Sequence, residues 1–162
     1  MNLFECHSRK QSDAIISDHK CTLLCTGIQF GKTTAGAIWM KRLMHKYTKK
    51  DDAFIITSPN YKILKQSTLP AFLKYMDGFG EYRAGDAVFE MNSGGVCYMR
   101  TATEPDSIVG ITNVRGIWGD EAGKYSLYFW ENIQARSSFR DCPILLTTSP
   151  YSTNWIYKKD IS

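Results

Sequence analysis

One short segment constrains this chain more than any other. An apolar run at residues 21–26 gives way to Gly27-Ile28-Gln29-Phe30-Gly31, and Lys32-Thr33 then opens a stretch with Ala35, Ile38, Trp39, Leu43 and Tyr47 on one side. An apolar run that breaks at glycine reads as a buried strand, and the spacing that follows predicts a helix over 32–47. A strand that enters a helix through a glycine loop gathers backbone N–H groups and the positive helix end at one point. That arrangement holds a polyphosphate. Lys32 would reach the β- and γ-phosphates, and the Thr33 hydroxyl would ligate Mg²⁺. Thr26, Gly27, Ile28, Gln29, Phe30, Gly31, Lys32 and Thr33 are therefore the candidate ATP-binding segment. One departure stands out: Thr26 occupies the place of the first glycine of the usual pattern, and Gly27 follows one residue later.

The remaining chain alternates strand and helix signals. Residues 53–57 read as a strand ended by Ser58-Pro59-Asn60, and 61–76 as a helix with a break or kink at Pro70. Residues 87–91 and 96–101 alternate around Asn92-Ser93-Gly94-Gly95 and predict a hairpin. A strand over 114–119 ends at Asp120-Glu121, a helix covers 126–136, and a last strand spans 143–148. This order predicts an α/β fold, a mainly parallel sheet flanked by helices, with ligands at the carboxyl ends of the strands. The 162 residues are enough for one domain with its own core, so residues 1–162 are expected to form a single unit.

Hydrolysis needs a carboxylate for the metal and a base for water, and Asp120-Glu121 supplies both at a strand end. Asp120 would hold Mg²⁺ through water, and Glu121 would orient and deprotonate the attacking water. Thr147, Thr148 and Ser149 end another strand, where hydroxyls either bond the γ-phosphate and relay its loss or simply cap a turn.

Composition excludes several other classes. With 43% hydrophobic and 22% charged residues the chain resembles an ordinary globular domain, and no apolar run is long enough to cross a bilayer. No basic-then-apolar leader opens it, and the five irregularly spaced cysteines suit a reducing, cytoplasmic setting. Cys21 and Cys25 read as core residues, as do Trp39 and Trp118, and the three histidines lack ligand spacing. The net charge of +4 permits contact with DNA phosphate without requiring it.

Taken together, these segments resemble the motor domain of tailed-phage large terminase subunits. The likeness is carried by Gly27-Ile28-Gln29-Phe30-Gly31-Lys32-Thr33-Thr34-Ala35-Gly36, by Trp118-Gly119-Asp120-Glu121-Ala122-Gly123, and by Thr147-Thr148-Ser149-Pro150-Tyr151 with Asn154-Trp155-Ile156-Tyr157 beyond it. It implies a P-loop NTPase of the RecA-like additional-strand kind, with Thr34 added to the nucleotide segment. Lys10-Gln11-Ser12-Asp13 resembles an upstream segment that recognises adenine, which implies a nucleotide role for Gln11. The implied function is ATP hydrolysis that drives double-stranded DNA into a procapsid. The implied partners are a portal protein, a small terminase subunit and further copies in a ring. The implied location is the host cytoplasm, docked transiently on the procapsid, and no membrane partner is expected. The family's nuclease domain would follow this region, so no nuclease activity is expected of residues 1–162.

Two departures matter. Many terminases carry arginine where this chain has Ile28, and again before the glycine matched by Gly110, where Val109 stands. The resemblance leaves Arg136 as the best-matched finger or sensor, ahead of Arg100, Arg115 and Arg140, acting either in its own subunit or on a neighbour. Two other readings share the same residues. One is a helicase or remodelling ATPase, which the Ala-Gly after Asp120-Glu121 does not favour. The other is a non-catalytic nucleotide-binding assembly module, which the missing arginines favour.

Overall fold

The computed structural model describes residues 9–17, 19–27, 31–150 and 155–156. In chain order it contains helix α1 (Arg9–Ile15), strand β1 (Cys21–Cys25), helix α2 (Lys32–Lys46) and strand β2 (Ala53–Ser58). Helix α3 (Tyr61–Ile63) then passes through a π turn (Leu64–Thr68) into α4 (Leu69–Leu73). Strands β3 (Gly80–Arg83), β4 (Val88–Met91), β5 (Val96–Thr101) and β6 (Val114–Asp120) follow, then helix α5 (Leu127–Ser138) and strand β7 (Ile144–Thr148). The sheet order is β1-β7-β6-β2-β5-β4-β3. The strands from β1 to β5 in that order are parallel, while β4 and β3 continue it antiparallel. The last strand of the chain, β7, lies between β1 and β6, which is the inserted strand of the expected fold class.

Period-two alternation divides the buried residues between two faces. Phe54, Ile56, Trp118 and Leu145 join a core with Trp39, Met40 and Leu43 of α2. Ile55, Ile117 and Leu146 join another with Phe129, Trp130 and Ile133 of α5. Helices therefore cover both faces, and β2 and β7 are buried along their full length. This is why those strands read as unbroken apolar runs. Each fully buried Leu, Ile or Phe side chain contributes about 1.5–3 kcal/mol. Ser126 caps α5 by accepting from the Phe129 N–H at 3.1 Å.

The residues that interrupt β6 have packing reasons. A Cβ on Gly116 would stand 2.4 Å from Leu43 Cδ1, and one on Gly36 of α2 would stand 2.0 Å from the Trp118 ring. Helix α2 thus lies directly on β6, with glycine on each side of the contact. Arg115 donates to Asp52 Oδ1 at 2.9 Å and stacks over the ring of Tyr47, the residue that follows α2. Its charge is matched to a carboxylate that is itself buried.

The expected helix over 61–76 is shorter and irregular. Pro70 has no N–H to give to the preceding turn, and the Leu69 N–H bonds Leu64 O, one residue further back than in an α-helix. The anticipated break is thus a π turn placed just before the proline, and it turns Thr68 into the buried interior. Neither α1 nor β3 was marked by the sequence pattern. The carboxyl ends of all five parallel strands meet along one edge: Cys25, Thr148, Asp120, Ser58 and Thr101. Among the described residues, no helix is long and apolar enough to cross a membrane.

Candidate nucleotide site

Asp120 closes β6 and is fully buried. Its Oδ1 accepts from Thr147 Oγ1 at 2.9 Å, and its Oδ2 accepts from Thr68 Oγ1 at 2.7 Å. Thr33 Oγ1 lies against both oxygens at longer range, 3.3 and 3.5 Å. Burial pushes the Asp120 carboxyl above its ordinary pKa, the Thr68 and Thr147 hydrogen bonds pull it back, and the nearby Glu121 charge adds to the rise. A dry carboxylate whose oxygens face hydroxyls is under-compensated, and a cation beside it would restore the balance. The donors suit Mg²⁺, a hard cation that keeps water and phosphate oxygens among its ligands. Among the described residues no group of three His, Cys, Asp or Glu could hold a metal. A cation at Thr33 and Asp120 would take its other ligands from phosphate and water.

Glu121 follows in a left-handed conformation, φ 48° and ψ 42°. Such a backbone costs a non-glycine residue about 1–3 kcal/mol and is concentrated at functional sites. It sends the carboxylate toward the P-loop. Oε1 is 3.5 Å from Lys32 Nζ, and Oε2 accepts from Ser149 Oγ at 3.4 Å. Lys32 opens α2 and is itself buried. Gly31 precedes it at φ 66°, a left-handed angle that favours glycine, and its carbonyl accepts from Gln11 Nε2 at 2.8 Å. Thr26 N–H extends the β1–β7 pairing onto Thr148 O at 3.2 Å. The Thr26 hydroxyl is buried without a hydrogen-bond partner among the described residues, a polar atom that a ligand at the P-loop would satisfy.

The surrounding groups hold these side chains in place. Trp118 Nε1 donates to Thr147 Oγ1 at 3.0 Å, and Gly123 N–H donates to Thr148 Oγ1 at 3.1 Å. Tyr125 OH donates to Asp120 O at 2.9 Å and meets Thr57 Oγ1 at 2.8 Å. Trp155 Nε1 donates to Ala122 O at 2.8 Å, which ties the turn after Glu121 to the far end of the described chain.

The fold thus brings Gln11, Gly31, Lys32, Thr33, Asp120, Glu121, Thr147, Thr148 and Ser149 to one strand edge, with Thr26 and Gly27 leading into it. Thr34 lies in the first turn of α2. Ile28, Gln29 and Phe30 lie outside the described residues, as do Tyr151, Asn154 and Tyr157. Arg136, which the sequence left free to act in its own subunit or on a neighbour, is not brought to the site of its own chain. Its Nη1 donates to Ile111 O at 3.4 Å and its guanidinium stacks over Phe139. Ile111 precedes β6, whose length separates it from Asp120 by about 20 Å at ~3.3 Å per residue. Helix α5 runs back along the sheet, so its last turn reaches the opposite edge. Arg100 is held by the carbonyls of Ala87 and Met99, and Arg115 by Asp52. Thr68 and Ser58, which the sequence pattern did not mark, join the site: Ser58 Oγ lies 2.5 Å from Thr68 Oγ1. A single hydroxyl inside a helix carries no motif, and the sequence showed Ser58 as a strand terminus without a role at the site.

A family model described as terminase large subunit, T4likevirus-type, N-terminal, matches residues 23–159. The chain belongs to this terminase family. The matched span contains the P-loop, the acidic pair and the Thr-Thr-Ser strand end. Among solved structures, the large terminase of a thermophilic bacteriophage is similar at TM-score 0.75 and 17% identity, over 93% of this chain and 41% of that one. The large terminase ATPase domain of Thermus phage P74-26 is similar at TM-score 0.72 and 19% identity, over 93% of this chain and 68% of that one. The large terminase of bacteriophage HK97 is similar at TM-score 0.71 and 14% identity, over 99% of this chain and 38% of that one. These likenesses establish the terminase P-loop fold, and the chain spans about two fifths of the thermophilic-phage and HK97 subunits. No curated protein matches the sequence.

Proposed function

We propose that this terminase domain binds Mg·ATP at the carboxyl edge of its sheet and hydrolyses it to drive double-stranded DNA into a procapsid. The observation that carries this reading is the convergence of Lys32 and Thr33, at the start of α2, with Asp120 and Glu121, at the end of β6, although Thr33 and Asp120 lie 87 residues apart in the chain. The large terminase of the thermophilic bacteriophage has been solved in complex with ATP-gamma-S and with ADP, which supports a nucleotide at this fold's P-loop.

In this reading Gly31 and the start of α2 wrap the phosphates, and Gln11 holds the Gly31 carbonyl. Thr33 and Asp120 would hold Mg²⁺, which would supply charge neutralisation to the bound polyphosphate. Lys32 exchanges Glu121 for phosphate oxygen when nucleotide enters, and the freed Glu121 takes a proton from the attacking water. Ser149 bonds Glu121, and Thr148 bonds the Gly123 N–H, so loss of the γ-phosphate would be felt by both β7 and the turn after Glu121. The proposed setting is a ring of copies on the portal, with a small terminase subunit as a further partner, in the host cytoplasm. Residues 1–162 are assigned the ATPase unit alone.

With Arg100, Arg115 and Arg136 bound elsewhere in the chain, an arginine from a neighbouring copy would complete the site. Phosphate release from Mg·ATP as a function of protein concentration tests this. The reading expects turnover that rises more steeply than linearly with concentration. Strictly proportional turnover would assign catalysis to one chain alone. Binding of Mg·ATP with no release at any concentration would replace the ATPase with a nucleotide-binding assembly module.

A further inference from the structure

We infer that Thr68 is a positioning residue for Asp120: delivered by the π turn before Pro70, its hydroxyl fixes the carboxylate in the orientation that faces Thr33 and a shared cation. The inference rests on the Mg·ATP reading above.

Asp120 can rotate about its side-chain bonds, and a metal-binding carboxylate has to keep its oxygens pointed one way. The Thr33 contacts are the longest that it makes, 3.3 and 3.5 Å, so Thr33 is not what holds it. Two shorter hydrogen bonds do so from two different elements: Thr147 of β7 on Oδ1 at 2.9 Å, and Thr68 of the π turn on Oδ2 at 2.7 Å. The direction of each proton follows from the chemistry. An ionised carboxylate only accepts, so the Thr68 hydroxyl donates to it, and Ser58, 2.5 Å away, then donates to Thr68. Ser58, Thr68 and Asp120 are all fully buried, so water does not compete for these bonds.

The sequence places Thr68 there by local means. Leu69 N–H bonds Leu64 O, which inserts one residue of register immediately before Pro70. One residue of helix is a rotation of about 100°. In a regular α-helix the face carrying Thr68 would turn away from β6 relative to the turn that precedes it. π turns of this kind are concentrated at functional sites. Here the turn has an identifiable product, a hydroxyl on the metal-binding carboxylate.

The test compares the affinity of a fluorescent ATP analogue in EDTA and in excess Mg²⁺ for the wild type, Thr68→Val, Thr68→Ser and Ser58→Ala, with melting temperatures measured alongside. Thr68→Val keeps the shape and removes the donor. It should bind as the wild type does in EDTA but lose about tenfold of the Mg²⁺-dependent gain, the scale of a hydrogen bond to a charged group. Thr68→Ser should restore that gain, and Ser58→Ala should lose about two- to threefold of it, because it removes only the second link. Retention of the full Mg²⁺ gain by Thr68→Val would overturn the inference. So would an equal loss in EDTA and Mg²⁺, or a loss that Thr68→Ser does not recover. A wild type that binds the analogue with no gain from Mg²⁺ would overturn the Mg·ATP reading itself, and the role of Thr68 with it.

Discussion

On the β1 side of the site the chain offers mainly backbone. β1 is mostly half-buried, Gly31 supplies a left-handed turn, and α2 opens with the N–H groups of its first turn. On the β6–β7 side it offers side chains in a dry network: Asp120, Thr147, Thr68 and Ser58 each have 0% exposure and are joined by hydrogen bonds of 2.5–2.9 Å. The two halves divide the work. The phosphate half depends on the ligand's own charge for its compensation, whereas the metal half is built in advance. A pre-built half carries a standing cost, a buried carboxylate whose pKa burial pushes up.

The largest expected effect separates chemistry from both halves. Glu121→Gln should lower phosphate release by about 10²–10⁴-fold, the usual share of a general base, while nucleotide binding persists. Loss of binding as well would assign Glu121 to holding the P-loop through Lys32. Next come two glycines with opposite consequences. Gly36→Ala places a Cβ 2.0 Å from the Trp118 ring, so overpacking should cost about 1–3 kcal/mol, read as a lower melting temperature. Gly31→Ala puts alanine at φ 66° with its Cβ 2.6 Å from the Gln11 amide. The cost of about 1–2 kcal/mol should appear chiefly as weaker ATP binding, measured by titration. A Gly31→Ala melting temperature as depressed as that of Gly36→Ala would break the distinction between a ligand-dependent and a pre-built half.

The smallest effect concerns pH. The folded-state pKa of Asp120 is raised, so the folded protein holds that proton more readily than the unfolded chain does. Without metal, the buried charge therefore costs stability above the raised pKa, and the cost fades as pH falls through it. Asp120→Asn never carries the charge. In EDTA its melting temperature relative to wild type should be highest at mildly alkaline pH and should decline toward acid. A difference that grew toward acid would mean that the hydroxyls over-compensate the carboxylate.

Much of this was legible in the sequence because it is carried by residue types with no other use in that order. Lys32-Thr33 at the start of a helix, the parallel strands as apolar runs, the hairpin around Gly94, and Asp120-Glu121 at a strand end all appear where the pattern places them, while Ile28, Gln29 and Phe30 of the glycine loop lie outside the described residues. The misses share one physical cause: they depend on direction in space. Thr68 acquires its role from one residue of helical register, and nothing in the sequence around it marks the hydroxyl. Arg136 matched a family pattern that left its own subunit and a neighbour both open, and α5 carries it to the sheet edge opposite Asp120 of its own chain. β3 is short and half-exposed, with a burial alternation that polar residues can satisfy, so its apolar signal is weak. Arg115 and Gly116 break the apolar run of β6. They prove to be the points where α2 and Asp52 approach it.

The most direct test is a crystal structure of the protein grown with Mg²⁺ and a slowly hydrolysed ATP analogue. The phosphates are expected against the backbone between Gly27 and Thr33, with a cation held by Thr33 and Asp120, directly or through water. Lys32 should be released from Glu121, with Thr68 and Thr147 still bonded to Asp120. A nucleotide bound away from the P-loop, or a cation with no connection to Asp120, would contradict this arrangement.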